Sequence, residues 1–286
     1  MYKTILVHVD GDAGQASRLS AAALLCKEHG AHLVGCAATG ITWRDYALLS
    51  GPIGATDPEP GADYKSLRKT AAAALEEFAR QAAQLAVASV ETRMVEDDVR
   101  SALLLASRYA DLIVLSQDEQ AGQQGGLLAH APRQRRLPEF LALRGVQPVL
   151  VVPRDYGGAP LSGVVMAGWD GSLQATRAIH AALPLLRRAA DVRLVLINPD
   201  APSELHGEVP GADMARHLAR QEVAVQVVVE HTRATVGEAL MGLARDCGAG
   251  LMVCGAYGHS RYREWILGGA TRELFERARM PLLIAH

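Results

Sequence analysis

Four glycines in "GAYGHSRYREWILGGATREL", residues 255 to 274, have the spacing in this chain most suggestive of chemistry. Gly255 and Gly258 follow the apolar run "LMVC", and Gly268 and Gly269 precede "ATRELFERARM", which has the composition of a helix. Glycine permits left-handed backbone and lets a ligand approach main-chain amides with no Cβ in the way. A helix beginning at the second pair turns its free amides and positive dipole end toward an anion. Together these features describe a phosphate cradle. The same spacing also serves a chain that merely ends a strand and starts a helix, and G-x-x-G alone does not separate the two.

Other chemistry finds less support. The 10 histidines include no H-E-x-x-H and no close pair with ligand spacing, so a dedicated metal site is not expected. His8 reads as a satisfied strand residue, whereas His259 lies inside the glycine loop, able either to donate to a phosphate oxygen or to face solvent. No G-x-S-x-G elbow and no G-x-x-x-x-G-K-[ST] loop occurs, which removes the usual hydrolase nucleophile and the lysine of P-loop phosphoryl transfer. "RQRR" (133 to 136) lacks aromatic neighbours for stacking on bases and reads as a solvated loop. Arg261, Arg263 and Glu264 are expected to face water or the other half of the chain.

The elements that would position the glycines occur twice. "KTILVHVD" ends at Asp10 and is followed by a helical stretch closed by Gly30; "GVVMAGWD" ends at Asp170 and is followed by "GSLQATRAIHAALPLLRRAA". The likeness continues through "AHLVGCAA" and "DVRLVLIN", "ADLIVLSQ" and "AGLMVCGA", and "QPVLVVP" and "MPLLIAH". About five strands per half, with helices between and continuous apolar runs, predict α/β architecture with parallel sheets covered on both faces. "PRDYGGAPLSG" is the natural linker, dividing the chain into 1–156 and 157–286. Two segments interrupt the first half: a long Gly- and Pro-rich stretch at 39–63, and "DEQAGQQGGLLAHAPRQRR" (118 to 136), where Gly125 and Gly126 read as loop tips. The two ending strands are short and apolar and belong at sheet edges; pairing them with each other would join the halves.

Composition bounds the class. With 286 residues, 49% hydrophobic and 21% charged, the chain can bury two cores, and a net charge of -2 gives no long-range pull toward nucleic acid or anionic membrane. Cys26, Cys36, Cys247 and Cys254 form no C-x-x-C pair and read as small buried hydrophobes. The start runs directly into a strand without a leader pattern, and no apolar run reaches membrane-span length, so a cytoplasmic location is expected.

In a doubly wound sheet, ligands gather beyond the carboxyl ends of strands where connections diverge, which would place Asp170, Gly255 and Gly258 in one crevice. The order strand, G-x-x-G, nine residues, glycine, helix in "GAYGHSRYREWILGG" resembles the nucleotide-binding motif of the universal stress protein family, strongly in 160–286 and more weakly in 1–153. The resemblance implies two tandem Rossmann-like domains, each a five-stranded parallel sheet of order 3-2-1-4-5, of a kind that in some members binds ATP or another adenine nucleotide; for ATP hydrolysis, Asp170 could help position Mg²⁺ through water. It assigns Asp170 to the adenine and ribose end and the backbone of Ile197 to the adenine. Gly255 and Gly258 fall at the ribose and phosphate turn, with His259 beside them. Gly268, Gly269, Ala270 and Thr271 bring the helix amides to the phosphates. Where the family pattern has Ser or Thr, this chain has Gly269; Thr271 or Ser260 could supply a replacement hydroxyl. In the first half Ser116 stands where Gly255 would be, which implies a degenerate copy. The expected role is a nucleotide-responsive stress protein, with a scaffold bearing a vestigial cleft as the alternative, slow ATP hydrolysis as a second, and further dimerisation of whole chains left open.

Overall fold

In the computed structural model, which describes residues 1–50, 62–118, 136–199, 209–256 and 269–286, strands and helices alternate through two successive halves. The first half runs β1 (Thr4–His8), α1 (Gln15–His29), β2 (His32–Ala38), α2 (Trp43–Ser50), α3 (Ala62–Gln84), β3 (Val90–Val95), α4 (Val99–Ala106), β4 (Leu112–Ser116), α5 (Leu137–Arg144) and β5 (Val149–Val152). The second runs β6 (Val164–Gly168), α6 (Leu173–Leu186), β7 (Asp191–Ile197), α7 (Ala212–Arg220), β8 (Gln226–Glu230), α8 (Val236–Asp246), β9 (Leu251–Gly255), α9 (Gly269–Arg277) and β10 (Leu282–Ala285). Gly30 closes α1 in a left-handed conformation, φ 62°, with its N–H bonded back to Cys26.

All the strands belong to one ten-stranded sheet, ordered β3-β2-β1-β4-β5-β10-β9-β6-β7-β8. Each half keeps the order 3-2-1-4-5 with parallel neighbours. The halves meet at an antiparallel seam in which Leu282, Leu283 and Ile284 lie opposite Val151, Leu150 and Val149. Strands that would be exposed edges in separate halves are therefore at the middle of a continuous sheet. Side-chain alternation along the seam feeds both faces: Leu150 and Leu283 join one buried cluster, Val149 and Ile284 the other, and each cluster runs through both halves.

The 39–63 segment is not structureless where it is described. Thr42 begins α2 with a reciprocal cap, its hydroxyl accepting from the Asp45 N–H at 3.0 Å and donating to the Asp45 carboxylate at 2.8 Å. Trp43 and Tyr46 then pack their rings on Tyr64 of α3, each with centroids 5.2 Å apart. Of the cysteines, Cys26, Cys36 and Cys254 are buried free thiols and Cys247 is half-buried.

Contacts between the halves extend beyond the seam. The Tyr2 hydroxyl donates to the Ala181 carbonyl at 2.8 Å, and His29 packs edge-on against the Tyr2 ring. His29 is buried, and neither ring nitrogen has a hydrogen-bond partner among the described residues. Burial, with Arg188 and the amino terminus adding to it, pushes its pKa down to about 4. An unfolded imidazole takes up its proton near 6.5, so the stability contributed by neutral His29 is complete above about pH 6.5 and is lost as pH falls toward about 4. His29→Phe should flatten the acid limb of a denaturation midpoint measured against pH over this window. At the seam, Leu283→Ala, a fully buried site, should cost about 2–5 kcal/mol in urea denaturation.

Candidate functional site

The crevice expected in the second half falls where β6 and β9, which are hydrogen-bonded neighbours, reach their carboxyl ends. The chain leaves β6 through Trp169 and the exposed Asp170, turns at Gly171 with φ 76°, and enters α6 at Ser172. The Asp170 carboxylate accepts from the Ser172 N–H at 3.0 Å, and the Ser172 hydroxyl in turn accepts from the Ala175 N–H at 3.1 Å. This fixes the turn while leaving the rest of the carboxylate to solvent. Burial and the nearby Asp170 charge together push the Cys254 thiol on β9 up to about 12, an electrostatic mark of how close the acid lies to that strand.

Ile197 ends β7 half-buried opposite Glu230. Beyond it Asn198 takes a left-handed conformation and exchanges hydrogen bonds with the Thr232 backbone at 2.8 and 2.9 Å, tying the ends of β7 and β8 together. Gly269 opens α9 and is exposed, Ala270 is half-buried and Thr271 is buried. Gly258, His259 and Gly268 lie outside the described residues, as do Ser260, Arg261, Arg263 and Glu264.

Gly255 has a packing role that its spacing does not reveal. A Cβ there would lie 2.5 Å from the Ala175 backbone nitrogen and 2.6 Å from the Gln174 carbonyl carbon. The first turn of α6 occupies the space, so glycine is required by close helix–strand approach. The first half meets the same approach the other way round. Strands β1 and β6 correspond residue for residue, so Gly14 corresponds to Gln174, and a Cβ on Gly14 would lie 2.5 Å from the Ser116 hydroxyl. One half puts its glycine on the strand and the other on the helix.

The first half also fills its crevice. Arg18, in the second turn of α1, is buried to 2% exposure, and its guanidinium contacts Asp10 and Ser116 and reaches Asp12 at 3.1 Å. Arg154 adds a second cation 2.8 Å from Asp12, and His8 stands 3.5 Å from Asp10. Burial pushes the Asp10 carboxyl up, but His8 and Arg18 outweigh it and hold the group well below the usual carboxylate range. At Asp12 burial and the Asp10 charge prevail over the two arginines and push the pKa up. In the second half the positions of Asp12 and Arg18 are taken by Ser172 and the fully buried Ala178. Among the described residues no cation pairs with Asp170. Sequence reasoning missed Arg18 because one arginine in an Ala- and Leu-rich helix reads as solvent-facing.

Comparison with known proteins adds an independent line. The model described as "Universal stress protein family" matches residues 163–286. The match takes in β6 through β10. Two universal stress proteins of Mycobacterium tuberculosis are each 30% identical to the chain over 136 residues, 44% of this chain and 49% of theirs, so the match spans about half the length of those relatives. The fold likeness reaches further. A universal stress protein from Archaeoglobus fulgidus superposes with a TM-score of 0.72 over 99% of this chain and 97% of its own, at 16% identity. A Pseudomonas aeruginosa protein aligns at 0.61 over 99% and 93%, at 15% identity. These likenesses establish the α/β architecture of the whole chain. Among the described residues no helix is long and apolar enough to cross a membrane.

Removing the Arg18 charge leaves two half-buried carboxylates without their main counterion. Arg18→Met should therefore cost about 3–5 kcal/mol of stability. The triple variant Arg18→Met, Asp10→Asn, Asp12→Asn should recover most of that loss in the same denaturation experiment.

Proposed function

We propose that the chain is a tandem universal stress protein, with domains at 1–156 and 157–286, whose second-domain crevice binds an adenine nucleotide and whose first domain binds none. The observation that carries this reading is the contrast between two equivalent acids. Asp10 is neutralised by buried Arg18, whereas Asp170 is exposed and the position corresponding to Arg18 holds Ala178. The first crevice carries its own cation in place of a ligand; the second leaves its acid free for ribose hydroxyls or for water on a Mg²⁺ ion. ATP, ADP and AMP share the adenine and ribose groups that Asp170 and the Ile197 backbone would meet. The phosphate end falls to the main chain at the start of α9 together with Gly258, His259 and Gly268. Occupancy would act by altering the surface or assembly of the protein, and the β5–β10 seam would make the two domains a permanent pair.

Gly269 favours a second reading, a scaffold with a vestigial cleft, because the hydroxyl of the family pattern is missing and Thr271 is buried. Among the described residues a Cβ on Gly269 would meet nothing within 4 Å. Serine therefore fits there without a Cβ clash.

Mass spectrometry of denatured, purified protein should detect adenine nucleotide, and calorimetric titration with ATP should give one site per chain. A hydrogen bond to a charged group is worth about 1.5–3 kcal/mol, and about 1.4 kcal/mol is tenfold in affinity. Asp170→Ala should accordingly weaken binding by about ten- to a hundredfold, Gly269→Ser should tighten it by about tenfold, and Asp10→Asn should leave affinity unchanged. No binding in either the wild type or Gly269→Ser would favour the scaffold.

A further inference from the structure

On the outer surface of the second half, two histidines distant in sequence are brought together. His180 on α6 and His217 on α7 have Nε2 atoms 3.0 Å apart, with ring centroids 5.2 Å apart and planes inclined at 47°. His180 is exposed and His217 half-buried, so the point on which the two nitrogens converge is open to solvent. The helices beneath are fixed by other contacts. Ala182 and Leu186 of α6 and Met214 and Leu218 of α7 are buried, and two turns beyond His180 the Arg187 guanidinium donates to the Gln221 carbonyl at 2.9 Å and to its side-chain oxygen at 2.8 Å. Two imidazoles are thus held in register by rigid elements, the condition for a preorganised site.

Nitrogens at this separation share either a proton or a cation. An ion bound at a metal–nitrogen distance of about 2.0–2.1 Å to nitrogens 3.0 Å apart subtends an angle of about 90°. A tetrahedral ion would need them about 3.3–3.4 Å apart at the same bond length. The right angle is that of neighbouring ligands in tetragonal coordination, the preference of Cu²⁺ and Ni²⁺, which also stand high in the affinity order for nitrogen donors. We propose that His180 and His217 form a two-imidazole site for a tetragonal divalent metal ion, with water in the remaining positions.

Among the described residues no group of three or more His, Cys, Asp or Glu could hold a metal, so within them the two rings are the ligands of the proposed site. Of the cations on the same helices, Arg216 pairs with Asp213 and Arg177 donates to the His286 carbonyl, while Arg220 stands one turn beyond His217. A bound ion would pin α7 to α6 without touching the crevice.

The test uses the full chain, stripped with a chelator and titrated calorimetrically with NiCl₂ beside His180→Ala, His217→Ala and the double variant. Each single variant should bind at least about tenfold more weakly, and the double variant no more weakly than either, because losing one ring abolishes the chelate. His180→Gln, which keeps a polar side chain of similar reach, should behave as His180→Ala. Electron paramagnetic resonance with one equivalent of Cu²⁺ should show two coupled nitrogens in the wild type and one in each single variant. Equal affinity in all proteins, independent additive losses, or a single coupled nitrogen in the wild type would overturn the site.

Discussion

In each half, the helix after the first strand presses its opening turn against the end of the fourth strand, and the crevice exists only because that contact can be made. Two backbones this close leave no room for a Cβ on at least one side. The second half yields at the strand, with Gly255 under Gln174 and Ala175; the first yields at the helix, with Gly14 under Ser116. The exchange is reciprocal, which explains why Ser116 is tolerated where the glycine motif would otherwise appear broken. It also separates two roles that glycine can hold in the same loop. Gly255 is committed to packing, so its place in the motif is accounted for without a ligand.

What fills the crevice then differs by a few side chains on one turn of helix. Arg18 brings a positive charge into the space between Asp10, Asp12 and Ser116, and Arg154 from beyond β5 completes the compensation. Buried ion clusters add little net stability, because desolvation offsets the Coulomb gain, but they are costly to leave incomplete. Such a cluster therefore acts as a lock on local geometry. With Ala178 and Ser172 in the equivalent places, the second half carries the acid without the lock. The asymmetry between two copies of one fold thus lies in charge compensation and needs no change of architecture.

Most strands were legible because buried parallel strands are continuous apolar runs and the pattern occurs twice, whereas their order came only with the family resemblance, and β3 and β8, partly exposed, are not buried runs of this kind. Gly30 marked the end of α1 through the left-handed conformation that glycine adopts there without a Cβ penalty. The aspartates were legible as ends of first strands, but their partners were not: Arg18 meets Ser116 across 98 positions, and nothing in local composition distinguishes a buried arginine from a solvated one. His180 and His217, 37 positions apart, escaped for the same reason, since ligand spacing in sequence tests only neighbours along one element. α2 was hidden because its eight residues sit inside a Gly- and Pro-rich stretch, and its aromatic contact with Tyr64 on another helix is not visible locally.

The seam gives these local differences a common frame. β5 and β10 contribute side chains alternately to the two buried layers, so neither layer ends at the boundary between the halves. A sheet continuous across that boundary transmits the placement of one half to the other through packed side chains, which are nearly incompressible. Gln117, immediately after β4, donates to the Phe275 carbonyl of α9 at 2.8 Å, linking the end of the locked crevice's fourth strand to the helix whose start borders the open one. The first half therefore supports the second mechanically as well as by burying its edge. The charge-paired copy thus contributes a hydrogen bond to α9 of the half whose acid has no cation partner among the described residues.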